Sequence, residues 1–118
     1  MQYKAIYLER KIKHVAGDDI YLTFVIQNSE GTILTDLSSW TLKGELFNDA
    51  NEIRMDSSYF TISDSKITLH IPNSDTTSLA DDYGNTYTYK FELQGTYDNK
   101  IYTLLQREFD IKAEEIDY

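Results

Sequence analysis

A chain of 118 residues with one Pro, five Gly, ten Tyr, five Phe and one Trp has the length of one domain and enough large side chains for a core, which excludes a disordered or low-complexity polypeptide. Cysteine is absent, so disulfides, thiolate metal sites and thiol nucleophiles are excluded together. The net charge of −9 argues against nucleic acid as a partner, because phosphate affinity comes from clustered Lys and Arg.

Taken in order, residues 2–8 alternate Tyr3, Ala5 and Tyr7 with Lys4, Ile6 and Leu8, the period of two that separates the faces of a strand. This first strand is expected at a sheet edge, where Lys4, Glu9, Arg10 and Lys11 would guard it against unwanted pairing. The basic segment Arg10-Lys11-Ile12-Lys13-His14 reads as a solvated strand end or loop. Ala16-Gly17-Asp18-Asp19 is a turn into a well-patterned strand, 19–27, with Ile20, Leu22, Phe24 and Ile26 on one face and Tyr21, Thr23 and Val25 on the other. Asn28-Ser29-Glu30-Gly31 is a turn, followed by a short strand expected at 32–35 and a corner at Asp36-Leu37-Ser38-Ser39. Trp40, Leu42, Gly44 and Leu46 then share one face of a further strand, with Phe47 on the other.

Asn48–Glu52 carries loop chemistry. A short strand is expected at 58–62, then a turn at Ser63-Asp64-Ser65 and a strand at Lys66–Ile71 that Pro72 ends. Asn73–Asp82 is the one place for a helix, with N-caps available at Ser74, Asp75, Thr76 and Thr77 and room only for a connection. Tyr87, Tyr89, Phe91 and Leu93 alternate cleanly with Thr88, Lys90 and Glu92. Gly95–Asn99 reads as a five-residue hairpin loop, and Lys100–Lys112 as the returning strand with Ile101, Thr103, Leu105, Phe109 and Ile111 inward. Arg107 breaks that pattern and suggests a bulge or a strand end. Ala113–Tyr118 is an acidic tail. About seven or eight short strands with no substantial helix predict an all-β, immunoglobulin-like antiparallel sandwich, one domain over 1–118, with a barrel as the alternative.

Candidate chemistry is sparse. The two histidines, His14 and His70, read as surface or structural groups because no nucleophile or metal motif accompanies them. A buried His70 paired with a carboxylate in a cleft would reopen an enzymatic reading; otherwise no catalytic residue is assigned. Asp18-Asp19 and Asp81-Asp82 are the best calcium candidates, but neither has the spacing of a calcium loop, so no metal and no cofactor is expected. Tyr21, Phe47, Tyr97 and Tyr102 are the aromatics that alternation turns outward or places in loops, and they are the candidate partner-binding residues. No apolar run reaches the ~20 residues of a membrane-spanning helix, and residues 1–11 hold no sustained apolar stretch of the kind a cleaved signal needs.

Gly17-Asp18-Asp19-Ile20-Tyr21-Leu22-Thr23-Phe24, the corner and strand Asp36–Leu46, the strand Tyr83–Leu93 and the strand Thr103–Ile111 together resemble a family of phage proteins. The similarity is to the N-terminal domain of upper baseplate proteins, and to related tail accessory β-sandwiches, of phages infecting Gram-positive bacteria. Ser39 stands where that family often has Gly, and Gln106-Arg107 replaces a common Arg-Gly. The long helical and C-terminal regions of a full upper baseplate protein have no counterpart here, so a free-standing sandwich is expected. The resemblance implies a non-catalytic structural module of a phage or prophage virion, synthesised in the host cytoplasm, that contacts other tail or baseplate proteins and forms homo-oligomers. A carbohydrate-binding or cell-surface sandwich, in which aromatics stack on sugar rings, is the alternative.

Overall fold

Each segment of alternating residues becomes a strand whose apolar side finds a second sheet. The computed structural model describes residues 2–9, 11, 13–80 and 85–113. Among them are nine strands, β1 (Tyr3–Tyr7), β2 (Lys13–Val15), β3 (Ile20–Asn28), β4 (Thr41–Phe47), β5 (Glu52–Met55), β6 (Phe60–Ser63), β7 (Lys66–Ile71), β8 (Thr86–Tyr97) and β9 (Lys100–Lys112). A short helix, α1 (Asn73–Thr76), runs on into a 3-10 turn at Thr77–Leu79. One sheet has the order β1-β3-β7-β6, the other β2-β9-β8-β4-β5. All pairings are antiparallel except β2 with β9. The sheets share no ladder among the described residues, so the architecture is the immunoglobulin-like sandwich and not the barrel.

The core is the meeting of the two inner faces. Ile20, Leu22, Phe24 and Ile26 from β3 and Ile67, Leu69 and Ile71 from β7 pack against Leu42, Leu46, Tyr89, Phe91, Leu93, Phe109 and Ile111, all buried. Antibody domains pin the corresponding strands with a disulfide. Here, without cysteine, Phe24 and Phe91 stack between the sheets at 5.8 Å and 9°, with Phe109 edge-on to Phe91 at 5.7 Å. Tyr89, two residues before Phe91, donates its buried hydroxyl to the carbonyl of Leu79. That is the tyrosine corner of such sandwiches.

Several expectations are corrected. The segment 32–35 makes only a single bridge, Gln27 with Ile33, because Asn28 closes a tight turn through its side chain and its amide before a second ladder can form. β5 begins at Glu52, inside what reads as loop, since Glu52 pairs with Phe47 and Arg54 with Glu45. The strand expected at 58–62 starts instead at Phe60, after a 3-10 turn at Ser57–Tyr59 that Asp56 caps by accepting from the Ser58 amide. Helix α1 starts without any of the expected side-chain caps; the Asn73 amide is taken at 3.0 Å by Asp19, far away in sequence. The hairpin loop is not five residues but two, Asp98 and Asn99, both at positive φ, the backbone of a type I′ turn. The bulge in β9 lies at Leu104, where Leu93 pairs with Leu105 and Gln94 with Thr103. It reverses the facing of the first half of β9: Leu104 is buried, Tyr102 half-buried, and Ile101 is 66% exposed. Arg107 is no bulge; it lies over the Tyr7 ring at 5.2 Å. Burial and the nearby Glu9 push the Tyr7 phenol up to about 12, against the opposing pull of Arg107.

The basic segment also differs from its reading as solvated chain. Arg10 and Ile12 lie outside the described residues, but Lys13–Val15 pair in parallel with Asp110–Lys112. His14 is buried with its ring 5.5 Å from Phe109, and its Nε2 has no hydrogen-bond partner among the described residues. Burial, with Lys11 adding to it and Glu9 opposing, holds the imidazole below its ordinary pKa. A folded-state pKa below the unfolded one means that the unfolded chain takes up the proton first. The contribution of neutral His14 is therefore whole above about pH 6.5 and is lost as pH falls from there through the folded-state value. We expect His14→Leu to flatten the fall of the urea midpoint between about pH 7 and pH 5. An unchanged slope would place the titration elsewhere.

Candidate functional site

Of the four candidate aromatics, the structure turns two inward. Tyr97 stacks on Trp40 at 5.0 Å and 12°, and Tyr102 lies 5.8 Å from the same ring. Tyr3 meets Trp40 and Tyr102 edge-on at 5.0 Å each. Tyr97 faces in because β8 continues through it rather than entering a loop, and Tyr102 faces in because the Leu104 bulge reverses β9. They close one end of the core. Phe47 is half-buried at the rim of a shallow depression shared with Lys90, Glu92, Gln106 and Glu108. Tyr21 alone stands well out, 53% exposed.

Tyr21 belongs to a row across the outer face of the four-stranded sheet. It pairs in register with His70, and the two rings stack at 4.5 Å and 6°. The Nε2 of His70 lies 3.0 Å from Asp19, whose carboxyl also accepts the Asn73 amide. These two bonds hold the Asp19 carboxyl below the usual carboxylate range. The row continues towards Tyr59, whose hydroxyl donates to Asp75 at 2.8 Å and is raised in pKa mainly by that bond. His70 does pair with a carboxylate, but not as the buried pair in a cleft that would reopen an enzymatic reading: its members are 42% and 45% exposed and no hydroxyl is bonded to the ring among the described residues. A catalytic triad needs a nucleophile in reach and an enclosed site; this row supplies a rigid aromatic shelf.

The Asp19 carboxylate is thus committed to structure, and the backbone around Asp18 is tied down as well. Thr76, fully buried, donates to the Asp18 carbonyl at 2.7 Å and accepts from the Gly17 amide at 3.0 Å, which ties the turn to α1. No group of three metal-ligating side chains converges among the described residues. Asp81-Asp82, the other calcium candidate, lies outside the described residues, as do Tyr83, Gly84 and most of the acidic tail. No described helix is long and apolar enough to cross a membrane.

The outer face of the five-stranded sheet carries polar side chains in registered rows. One row runs Arg54, Glu45, Glu92, Gln106; the next runs Glu52, Phe47, Lys90, Glu108. Gln106 donates to Glu92 at 3.0 Å, and Arg54 bonds to Glu52 on its own strand. Glu45 lies directly opposite Glu92 on one side and Arg54 on the other, so the like-charge pairing, which weakens a sheet, is partly offset by the Arg54 guanidinium, which interacts with both Glu52 and Glu45. A depression of about 400 Å³ opens beside Glu45 and Glu92, between Lys43, Arg54, Met55, Asp56 and Gln94. Alternation alone places Lys43, Glu45, Lys90 and Glu92 outward; Arg54 and the facing of the two glutamates need β5 and the strand register, which the sequence does not print.

Neither a family model nor a curated protein matches the chain. Among solved structures it is similar to an endo-β-1,4-mannanase from Thermotoga petrophila, with 9% identity over 96% of this chain and 20% of that one, at a TM-score of 0.52. It is also similar to a β-glucosidase from Listeria innocua, with 4% identity over 98% of this chain and 16% of that one, at a TM-score of 0.52. The chain spans a fifth or less of these proteins, and the likeness is one of fold.

Proposed function

We propose that the chain is a non-catalytic assembly module that joins other proteins of a phage tail or baseplate, with the outer face of the five-stranded sheet as its contact surface. The observation that carries this reading is the opposed pair Glu45 and Glu92. Like charges placed face to face weaken a sheet; Arg54 offsets this on the Glu45 side, and a cationic group of a partner docking beside Glu92 would relieve the rest. The sequence resemblance to baseplate sandwiches supplies the kind of partner, and repetition of one subunit around a tail axis follows from it. We expect Glu92→Gln to raise stability by about 0.2–1 kcal/mol, read from urea unfolding. The same variant should weaken the complex with the tail proteins encoded beside it by about tenfold, read by titration of the purified partners. Full-strength binding by the variant would remove this face from the assembly. Failure of every neighbouring tail protein to co-purify would remove the assembly itself.

A second reading, carbohydrate binding, is favoured by the exposed Tyr21 ring, held by stacking on His70 beside the Asp19 carboxylate. Its test is a glycan array on which Tyr21→Ala loses binding; Tyr97, packed on Trp40, is the wrong residue to remove.

A further inference from the structure

The sandwich ends in four edge strands, and three of them carry charge. β5 has Glu52 and Arg54, β2 has Lys13, and β1 has Lys4. Charged side chains on an edge discourage another chain from pairing with it. β6 reads Phe-Thr-Ile-Ser, with neither charge nor Pro. It pairs with β7 on one side and with no described strand on the other. Its Ile62 lies opposite the buried Ile67 yet is 38% exposed, so the edge offers unpaired backbone together with an apolar ledge.

The N-terminal end of this edge is bordered by acidic side chains. A shallow depression of about 370 Å³ lies beside β6, lined by Ser58, Tyr59, Thr61, His70 and Pro72. Asp56 bonds to Ser58, Asp75 to Tyr59 and Asp19 to His70, so three carboxylates border it. Neither Lys nor Arg lines it; the nearest cation by register is Lys66, opposite Ser63 at the far end of the strand. Asp64 follows in the turn.

We infer that β6 is the docking edge for an extended, basic segment of a partner protein, which adds to the four-stranded sheet as a fifth strand. Backbone pairing along Phe60–Ser63 supplies the attachment, and alternate side chains supply the choice of partner. An apolar residue of the incoming strand covers Ile62. The residues on either side of it project to the outer face, where Lys or Arg meets Asp56, Asp75 and Asp19. A second copy of this chain fits poorly, because each carries −9 and two like-charged chains repel on approach. This surface lies on the opposite sheet from Glu45 and Glu92 and stands on different residues. The two together make a module with two attachment points.

The test uses the whole isotope-labelled chain and three synthetic peptides. Lys-Val-Arg-Val-Lys-Val-Arg is basic and pairs as a strand. Glu-Val-Glu-Val-Glu-Val-Glu has the opposite charge. Lys-Pro-Arg-Val-Lys-Pro-Arg keeps the charge of the first but cannot complete a ladder. The first should bind about tenfold or more tightly than either control, with cross-strand contacts to Thr61–Ser63 and slowed exchange of β6 amides. Ile62→Lys should abolish this binding at an unchanged thermal midpoint, and Asp75→Asn should weaken it and reduce its salt dependence. Equal binding of the two basic peptides, binding retained by Ile62→Lys, or no binding at about millimolar peptide would each overturn the proposal. Self-association of the free chain that Ile62→Lys abolishes would replace it with a second copy.

Discussion

Replacing Gly95 by Ala should destabilise the protein by about 1–3 kcal/mol, the range for overpacking a well-filled core. A Cβ at this position would sit 2.8 Å from Cε3 and 2.9 Å from Cζ3 of Trp40, and 2.9 Å from Cδ1 of Leu104. Leu104 can rotate its methyl away. Trp40 cannot move cheaply, since its ring is flanked by Tyr3 and Tyr97 and is 6% exposed. The backbone at Gly95 does not have a positive φ, so the cost is steric and belongs to one contact. Trp40→Leu should therefore cost less in the Gly95→Ala background than in the parent chain, a coupling that urea unfolding of the double-mutant cycle measures directly. Additive losses would assign the effect to the strand backbone instead.

The same glycine shows how far the sequence can be read. Period-two alternation finds the inner faces of β3, β4, β7 and β8 correctly, because their apolar sides are buried against one partner sheet throughout. It fails in β9, where one extra residue at Leu104 reverses the facing of everything before it. Nothing in Thr103-Leu104-Leu105 announces that insertion: both leucines fit either face. Gly95 misleads for a related reason. A glycine near Asp98-Asn99 reads as part of the turn, whereas the turn needs only those two residues and the glycine makes room for a ring from another strand. These two errors together displaced Tyr97 and Tyr102 from the core to the surface in the sequence reading, and with them half of the expected aromatic site.

Charge and register explain the other gap. Asp and Asn side chains are visible in the sequence as turn chemistry, and Asp36, Asp56 and Asn48 do act locally on amides two or three residues away. Asp19 looks the same but reaches to His70 on the neighbouring strand β7 and to the Asn73 amide at the start of α1, both far away in sequence. Long-range partners of this kind depend on which strands neighbour each other, as does the facing of Glu45 and Glu92. The sequence thus identifies the polar faces, while the fold determines which charges on them meet. β2 was hidden for the opposite reason: three residues in a basic segment give no periodicity, and only pairing with β9 makes His14 a buried group.

Tyr89→Phe should cost about 1–3 kcal/mol, the penalty for leaving a buried polar group without its partner. The hydroxyl of this fully buried ring donates to the Leu79 carbonyl and accepts from the side-chain amide of Asn51 at 3.1 Å. It thereby ties two connections to β8: the turn that follows α1, and the short loop between β4 and β5. Removing one oxygen changes neither the ring nor its packing, so the loss measures those bonds. Asn51→Ala breaks only the weaker, half-buried one and should cost about 0.5–1.5 kcal/mol, with little further loss when added to Tyr89→Phe. Hydrogen exchange should locate the damage, with Thr76–Ala80 opening faster in the Tyr89 variant while the inner strands β3 and β8 keep the protection of the global fold. Uniform acceleration across every strand would mean that the corner supports the whole sandwich and not one end of it. A stability unchanged in urea would mean that water replaces the hydroxyl at Leu79 without penalty.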